Sequence, residues 1–478
     1  MKCMIVYLKL GLILGLLLSA SVTVKASISQ DGYSQCESTV KKWASSSIGS
    51  EVKDNKHALR DLLFFLHVPR TGGRTYFHCF LKKLYSKSQE CPRSYDKLKF
   101  NPRKPNCQLL STHDDYSMMS KLPKEKTSVV TILRNPIDRV FSTYEFSVEV
   151  AARFLIHPNL TSVARTEKMV RNKTSGASTL DIWPWKYLVP WMREDLFARR
   201  DARKHRGQSH IVTNNPYDME DMLMPLHKYI NDAIARDIVH NGATFQIAGL
   251  TNNSYFVESH HVRHCVIKYE ILGEYVLEVA KKRLDDMLYV GLTEKHKESA
   301  TKFASVVGAQ VISQHTKSEQ SKSDALAQGD QTEVSSLAKD EAARENMTAG
   351  KLMEAYESCI ISLRNTQATR RVNSLKQISP ANFTKEGRRE VPEVLIQEIA
   401  SLNKLDVQLY EYAEQKFMDQ HNIYAEKRTS TISTSSYPNF YTSSSSTFMS
   451  YLAIFSCLLL LFIFFLFVNA KRTSKIKL

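Results

Sequence analysis

Hydrophobic residues in this chain gather into short unbroken runs, and two of those runs share one arrangement. Leu62–Leu66 reads LLFFL, which predicts a short strand buried on both faces. It gives way at once to His67-Val-Pro-Arg-Thr-Gly-Gly-Arg-Thr75, and then to a helical pattern over residues 76–84. Val129–Leu133 reads VVTIL and ends at Arg134-Asn-Pro-Ile-Asp-Arg139, with Pro136 placed where a helix opens. Strand, loop, helix, repeated, predicts an α/β fold with a central parallel sheet flanked by helices. Between Val394 and Met418, the residues Leu395, Ile399, Leu402, Leu409, Ala413 and Phe417 recur at helical spacing, so this segment should pack on the core. Residues 313–346 are rich in Ser, Lys, Gln, Asp and Ala with few large apolar side chains, the pattern of a flexible insertion.

The two ends carry a different pattern. Lys2 and Lys9 precede an apolar run, Leu10–Leu18, and small residues close it near Val24 and Ala26, as in a secretory leader over residues 1–26. Phe448–Val468 is apolar and uncharged, long enough to cross roughly 30 Å of hydrocarbon. Lys471, Arg472, Lys475 and Lys477 follow it, which predicts a cytosolic tail at 469–478 and a type I orientation with the body of the chain lumenal. The Ser/Thr-rich run at 428–447 reads as a stalk, leaving residues 27–59 as a leading segment and 60–427 as the lumenal domain. A Golgi-membrane address is the expectation.

A lumenal location makes further demands that the sequence meets. Asn159, Asn172, Asn252, Asn346 and Asn382 all open Asn-X-Ser/Thr acceptors. With Cys3 in the leader and Cys457 in the apolar run, Cys36, Cys79, Cys91, Cys107, Cys265 and Cys359 remain. An even set in an oxidising compartment suggests disulfides, while the pairing stays open. Hydrophobic content of 43% and charged content of 24% suit a packed globular core. The net charge of +16 favours anionic partners, and in the lumen a nucleotide and an acidic acceptor fit better than nucleic acid.

The candidate chemistry begins where Leu62–Leu66 ends. Gly72 and Gly73 let the backbone turn and bring N–H groups close to an anion. The helix that follows offers its unbonded N–H groups to the same oxygens. Arg70, Thr71, Arg74 and Thr75 add charge and hydroxyl donors. The spacing G-x-x-x-x-G-K-[ST] of nucleotide triphosphatases is absent. At the end of the second strand, Arg134 and Ser142, two turns into the next helix, can grip a second phosphate. A bland alternative has Arg134 and Arg139 merely pairing with Asp138 or Glu145. His260, His261 and His264 lack a matching ligand set for metal and read as surface residues. Trp183, Trp185 and Trp191 are candidates to stack an acceptor ring, although such residues more often anchor a core.

Together, HVPRTGGRT and ILRNPIDRVFS resemble the 5'-phosphosulfate loop and 3'-phosphate motif of sulfotransferases that use 3'-phosphoadenosine 5'-phosphosulfate (PAPS). The likeness to the heparan sulfate 6-O-sulfotransferases continues through Thr112–Tyr116, Met287–Glu294 and Leu402–Tyr410. The resemblance implies a phosphate-loop-like domain, PAPS as sulfonate donor and no metal. It assigns Arg70, Thr71, Gly72, Gly73, Arg74 and Thr75 to the 5'-phosphosulfate, Arg134 and Ser142 to the 3'-phosphate, and Lys385 to a looser cofactor contact. Arg70 stands where lysine is usual, and would act on the leaving group as a fork rather than a point charge. His113 matches the general base, with His67 as its rival; Tyr116 replaces a tryptophan usual in the sugar-modifying members.

A leader at one end and a span at the other resembles the plant tyrosine-modifying branch, whereas the heparan enzymes are anchored at the opposite end. That implies tyrosines of acidic secreted peptides or proteins as acceptors, with a polysaccharide hydroxyl as the alternative. A third reading, a single-pass receptor with a vestigial loop, sits poorly with the presence of Arg70, Gly72, Gly73, Arg134 and Ser142 together.

Overall fold

Four parallel strands hold the molecule together, in the order β2-β1-β3-β4. They are β1 (Leu62–Leu66), β2 (Leu109–Thr112), β3 (Thr127–Leu133) and β4 (Tyr289–Leu292). The structure is a computed structural model that describes residues 32–49, 58–91, 107–155, 182–206, 215–316 and 347–432. Every residue of the four strands is buried, because helices cover both faces of the sheet, and this is why β1 could be so uniformly apolar. β1 coincides with the expected run, while β3 starts two residues before its apolar stretch, at Thr127. The side chains alternate between faces. Leu62, Phe64 and Leu66 join one core cluster; Leu63 and Phe65 join the other.

The helices that matter for the site are α1 (residues 32–49), α2 (opening as Gly73–Tyr76 and widening into a π-helical Phe77–Leu81) and α3 (Pro136–Arg153). They continue with α4 (Trp185–Arg206), α5 (Gly242–Ile247), α6 (Gly273–Asp286), α7 (Ala349–Leu375) and α8 (Lys385–Arg389). The last two are α9 (Glu393–Leu402) and α10 (Lys404–Ile432). Helix α2 begins at Gly73, three residues before the expected pattern, so the second glycine belongs to the helix. Helix α3 starts as Pro136 predicted, with the Asn135 side chain accepting from Ile137 N at 3.0 Å.

The periodic segment 394–418 is two helices, not one. Asn403 ends α9, donating its side-chain amide to Ile399 O at 2.9 Å and accepting Asn241 N at 3.1 Å. The packing expectation holds, with Ile399, Leu409, Ala413 and Phe417 buried.

All six expected cysteines pair: Cys36 with Cys265, Cys79 with Cys359 and Cys91 with Cys107. The described residues up to Asp419 form one compact unit. Asn252 and Asn382 are exposed. The leader, Asn159, Asn172, Asn346, residues 317–346 and the apolar run at 448–468 lie outside the described residues. Residues 313–316, expected in the flexible insertion, are helical, and 428–432, expected in the stalk, continue α10. Among the described residues no helix is long and apolar enough to cross a membrane.

Candidate active site

Residues that belong to the loops after β1, β2 and β3 meet at the carboxyl ends of those strands. The chain leaves β1 in one direction to form β2 and lies beside β3 on the other, so the crevice falls at the point where the strand order reverses. Thr71 Oγ1 donates to Val68 O at 2.9 Å and bends the loop. Thr293 Oγ1, past the end of β4, donates to Thr71 O at 2.8 Å and to Leu133 O at 2.9 Å, fixing the loop over β3. Thr75 N closes the turn on Gly72 O at 2.9 Å.

The two glycines are needed for different reasons. Gly72 has φ 82°, with open space where a side chain would go. A Cβ on Gly73 would lie 2.3 Å from the His67 ring. Arg70 shares the left-handed backbone region at φ 68°. Helix α2 has no side-chain cap and no acidic residue in its first turn, so nothing local competes with an anion there.

Positive charge converges on this loop. Arg70 Nε donates to Ser142 Oγ at 3.0 Å, and its guanidinium rests 4.4 Å over the Phe146 ring. Arg134 Nη1 donates to Arg70 O at 3.2 Å. Glu294 lies 3.9 Å and Asp138 4.0 Å from Arg134, and the Nε of Arg134 is buried without a hydrogen-bond partner among the described residues. Burial, and then the charge of Arg134, pull the Arg70 guanidinium down to about 10. Two guanidiniums converging at the strand end, with the Arg134 Nε 3.9 Å from Glu294 and making no hydrogen bond among the described residues, suit a phosphorylated anion, so the residues present fit PAPS. Arg74 is exposed at the mouth of the loop.

Other basic residues are arranged differently from expectation. Arg139 turns away from the site and pairs in the core with Asp406 at 2.9 Å. Asp138 and Glu145 are taken by Arg388 at 2.9 and 2.7 Å, and Arg371 also reaches Glu145 at 3.1 Å. Lys385 opens α8 on the exposed surface, and it is Arg388, one turn later, that reaches α3 beside Ser142.

His113 follows β2 and is 7% exposed. Its Nδ1 lies 2.8 Å from His67 O. A carbonyl only accepts, so Nδ1 carries the hydrogen and Nε2 keeps its lone pair in the neutral ring. The His67 and His113 rings stack with centroids 4.1 Å apart, and Phe65 stacks on His67 at 5.5 Å. Burial lowers His113 to about 4, opposed by the His67 carbonyl and aided by Arg70. His67 is lowered well below its ordinary value by burial, then by the charges of His113, Arg70 and Arg74. A neutral imidazole is therefore the resting state near neutral pH.

The remaining aromatic and histidine candidates separate cleanly. Trp183 and Trp185 are buried in a helical cluster with Tyr144, Leu188 and Met192, and Trp191 packs against it. Tyr116 lies 4.3 Å beneath the Arg283 guanidinium, at the edge of the main core cluster. His260, His261 and His264 are exposed, as expected. Among the described residues, the one grouping with ligand-like spacing is His261 with Cys36 and Cys265, whose sulfurs are already bonded to each other.

Sequence reasoning missed Gln246, Arg388 and Glu294. A signal existed for Gln246, a lone amide between Phe245 and Ile247 in an apolar stretch. Comparison with known proteins agrees with this geometry. The sulfotransferase domain family matches residues 40–202. The chain is 57% identical to an Arabidopsis thaliana protein named protein-tyrosine sulfotransferase, over an alignment covering 97% of this chain and 98% of the relative.

Proposed function

This chain belongs to the protein-tyrosine sulfotransferase family, and from that premise we propose that it moves the sulfonate of PAPS onto tyrosines of acidic secreted peptides and proteins in the Golgi lumen. The observation that carries the reading is the junction at the sheet edge. A cationic loop lies on one side of the His67–Gly73 contact, and a buried neutral histidine on the other.

PAPS, when bound, supplies an activated sulfonate on a phosphate leaving group. Arg70, Thr71, Gly72, Gly73, Arg74, Thr75 and the opening of α2 bind its 5' end, and preorganised N–H donors there stabilise anionic charge without reorganising. Arg134, with its unfilled Nε, and Ser142 bind the 3'-phosphate. Lys385 contributes charge at the exposed rim. His113 accepts the proton of the attacking phenol, whose ordinary pKa of about 10 leaves it protonated in the lumen. Nε2 is the receiving atom, since Nδ1 is committed to the His67 carbonyl. Protein donors suffice for each of these roles, with no metal.

Support for the lumenal, type I placement comes from the leader, the apolar run with its basic flank, the exposed Asn252 and Asn382, and three disulfides joining all six expected cysteines. The test uses the full chain with labelled PAPS. It offers a tyrosine flanked by aspartates beside a heparan-like oligosaccharide. We expect label on the peptide, and a loss of roughly 10²-fold in kcat for His113→Ala with nucleotide affinity retained. Label on the oligosaccharide alone would overturn the acceptor assignment.

A further inference from the structure

Behind the two stacked histidines lies a side chain that no step above uses. The Nε2 of Gln246 faces three carbonyls, those of His113 at 2.9 Å, His67 at 3.2 Å and Asp114 at 3.4 Å. Two of these belong to the histidines themselves, and the His67 carbonyl is the one that receives His113 Nδ1–H. One amide thus fastens the loop after β1 to the loop after β2 at the point where the imidazole is aimed. The other end of the amide is idle: Oε1 is buried without a hydrogen-bond partner among the described residues. Packing alone would not favour this choice. A methionine would fill the same space and leave no buried acceptor unsatisfied.

Helix α5, which carries Gln246, is itself pinned from the far end of the chain. Asp406 in α10 accepts Thr244 N and Thr244 Oγ1, both at 2.7 Å, and Ala243 N at 3.2 Å, while its other contact is the Arg139 guanidinium. Asn241 returns the favour by accepting Leu405 N at 2.8 Å and Asp406 N at 3.2 Å. The Leu402–Tyr410 stretch thereby gains a physical role, which is to set the height of Gln246 beneath the histidines.

We infer that Gln246 is a positioning residue for proton transfer, locking His113 onto the His67 carbonyl, with Asp406 holding Gln246 in place. The inference rests on His113 being the base. An amide that fixes aim acts on turnover and leaves donor and acceptor binding alone. If it acts only through His113, its loss must vanish where His113 is already gone.

The experiment is a double-mutant cycle in the full chain, with Gln246→Met, His113→Ala and the double variant. Thr244→Val, which loosens the Asp406 anchor without touching the site, serves as a second probe. Expected for Gln246→Met are about a tenfold fall in kcat, KM for the peptide and nucleotide affinity within twofold, and no loss in Tm. Thr244→Val should fall about threefold. Neither change should reduce turnover further in the His113→Ala background. Wild-type turnover in Gln246→Met overturns the inference, as does an equal fall in both backgrounds, and either leaves the base assignment standing. Normal turnover in His113→Ala overturns the base assignment and this inference together.

Discussion

Gly73→Ala adds one methyl group, and the structure says where it goes. The new Cβ would lie 2.3 Å from Cδ2 of His67 and 2.5 Å from its Nε2, against an ordinary contact of at least 3.4 Å. The ring has to retreat by about 1 Å. Phe65 stacks on this ring at 5.5 Å and His113 at 4.1 Å, so the retreat cannot be absorbed by His67 alone. Because the His67 carbonyl holds His113 Nδ1, the displacement reaches the imidazole proposed above as the base. A misplacement of about 1 Å at a reacting group costs on the order of 10² in rate. Overpacking of this size costs roughly 1–3 kcal/mol in stability, less than a domain needs to stay folded. The assay is kcat at saturating labelled PAPS and peptide, with nucleotide affinity measured separately. Gly72→Ala is the control, because its Cβ meets nothing within 4 Å and its φ of 82° costs an L residue roughly 1–2 kcal/mol. Its defect should fall on stability and donor binding, with kcat at saturation close to normal. Wild-type kcat in Gly73→Ala, or matching kcat defects in the two variants, would refute the steric coupling between loop and base.

Two further outcomes follow from the charges. Arg134→Ala should weaken nucleotide binding by about 1.5–3 kcal/mol, the value of a charge-assisted bond, with Tm little changed; calorimetric titration checks the first and thermal unfolding the second. Unfolding with unchanged affinity per folded molecule would make Arg134 structural. For His113, burial lowers the folded-state pKa to about 4 against 6.5 in the unfolded chain. The unfolded chain therefore binds the extra proton first as pH falls. The stability this residue contributes is complete above pH 6.5 and is lost as pH drops through about 4. Between pH 7.5 and 5 the loss is about 2 kcal/mol, measurable by urea titration, and His113→Gln should show that much less pH dependence.

The parts of the site that announce themselves in sequence are those made by consecutive residues. The LLFFL run followed by HVPRTGGRT specifies strand, loop and helix locally, and Arg134 and Ser142 ride on a strand end and the helix that Pro136 opens. β2 was harder to see because Ser111 and Thr112 interrupt its apolar pattern, although both are buried. What stayed hidden depends on partners far apart in the chain. Arg388 rather than Lys385 reaches α3 because α8 docks with that face inward, which spacing alone does not fix. Arg139 could have paired with Asp138 or Glu145 nearby in sequence, yet it finds Asp406, 267 residues away. The break at Asn403 was concealed by apolar residues whose helical spacing continues on both sides of it.

The Arg139–Asp406 pair also bears on how the protein is made. A chain emerging from the ribosome carries the phosphate loop, both histidines and Gln246 long before it carries Asp406. Until Asp406 arrives, Arg139 has no counter-ion in a site where it is 1% exposed, and the first N–H groups of α5 lack their acceptor. A chain that stops short of residue 406 therefore carries the phosphate loop, both histidines and Gln246 but lacks the carboxylate that anchors α5 and pairs with Arg139.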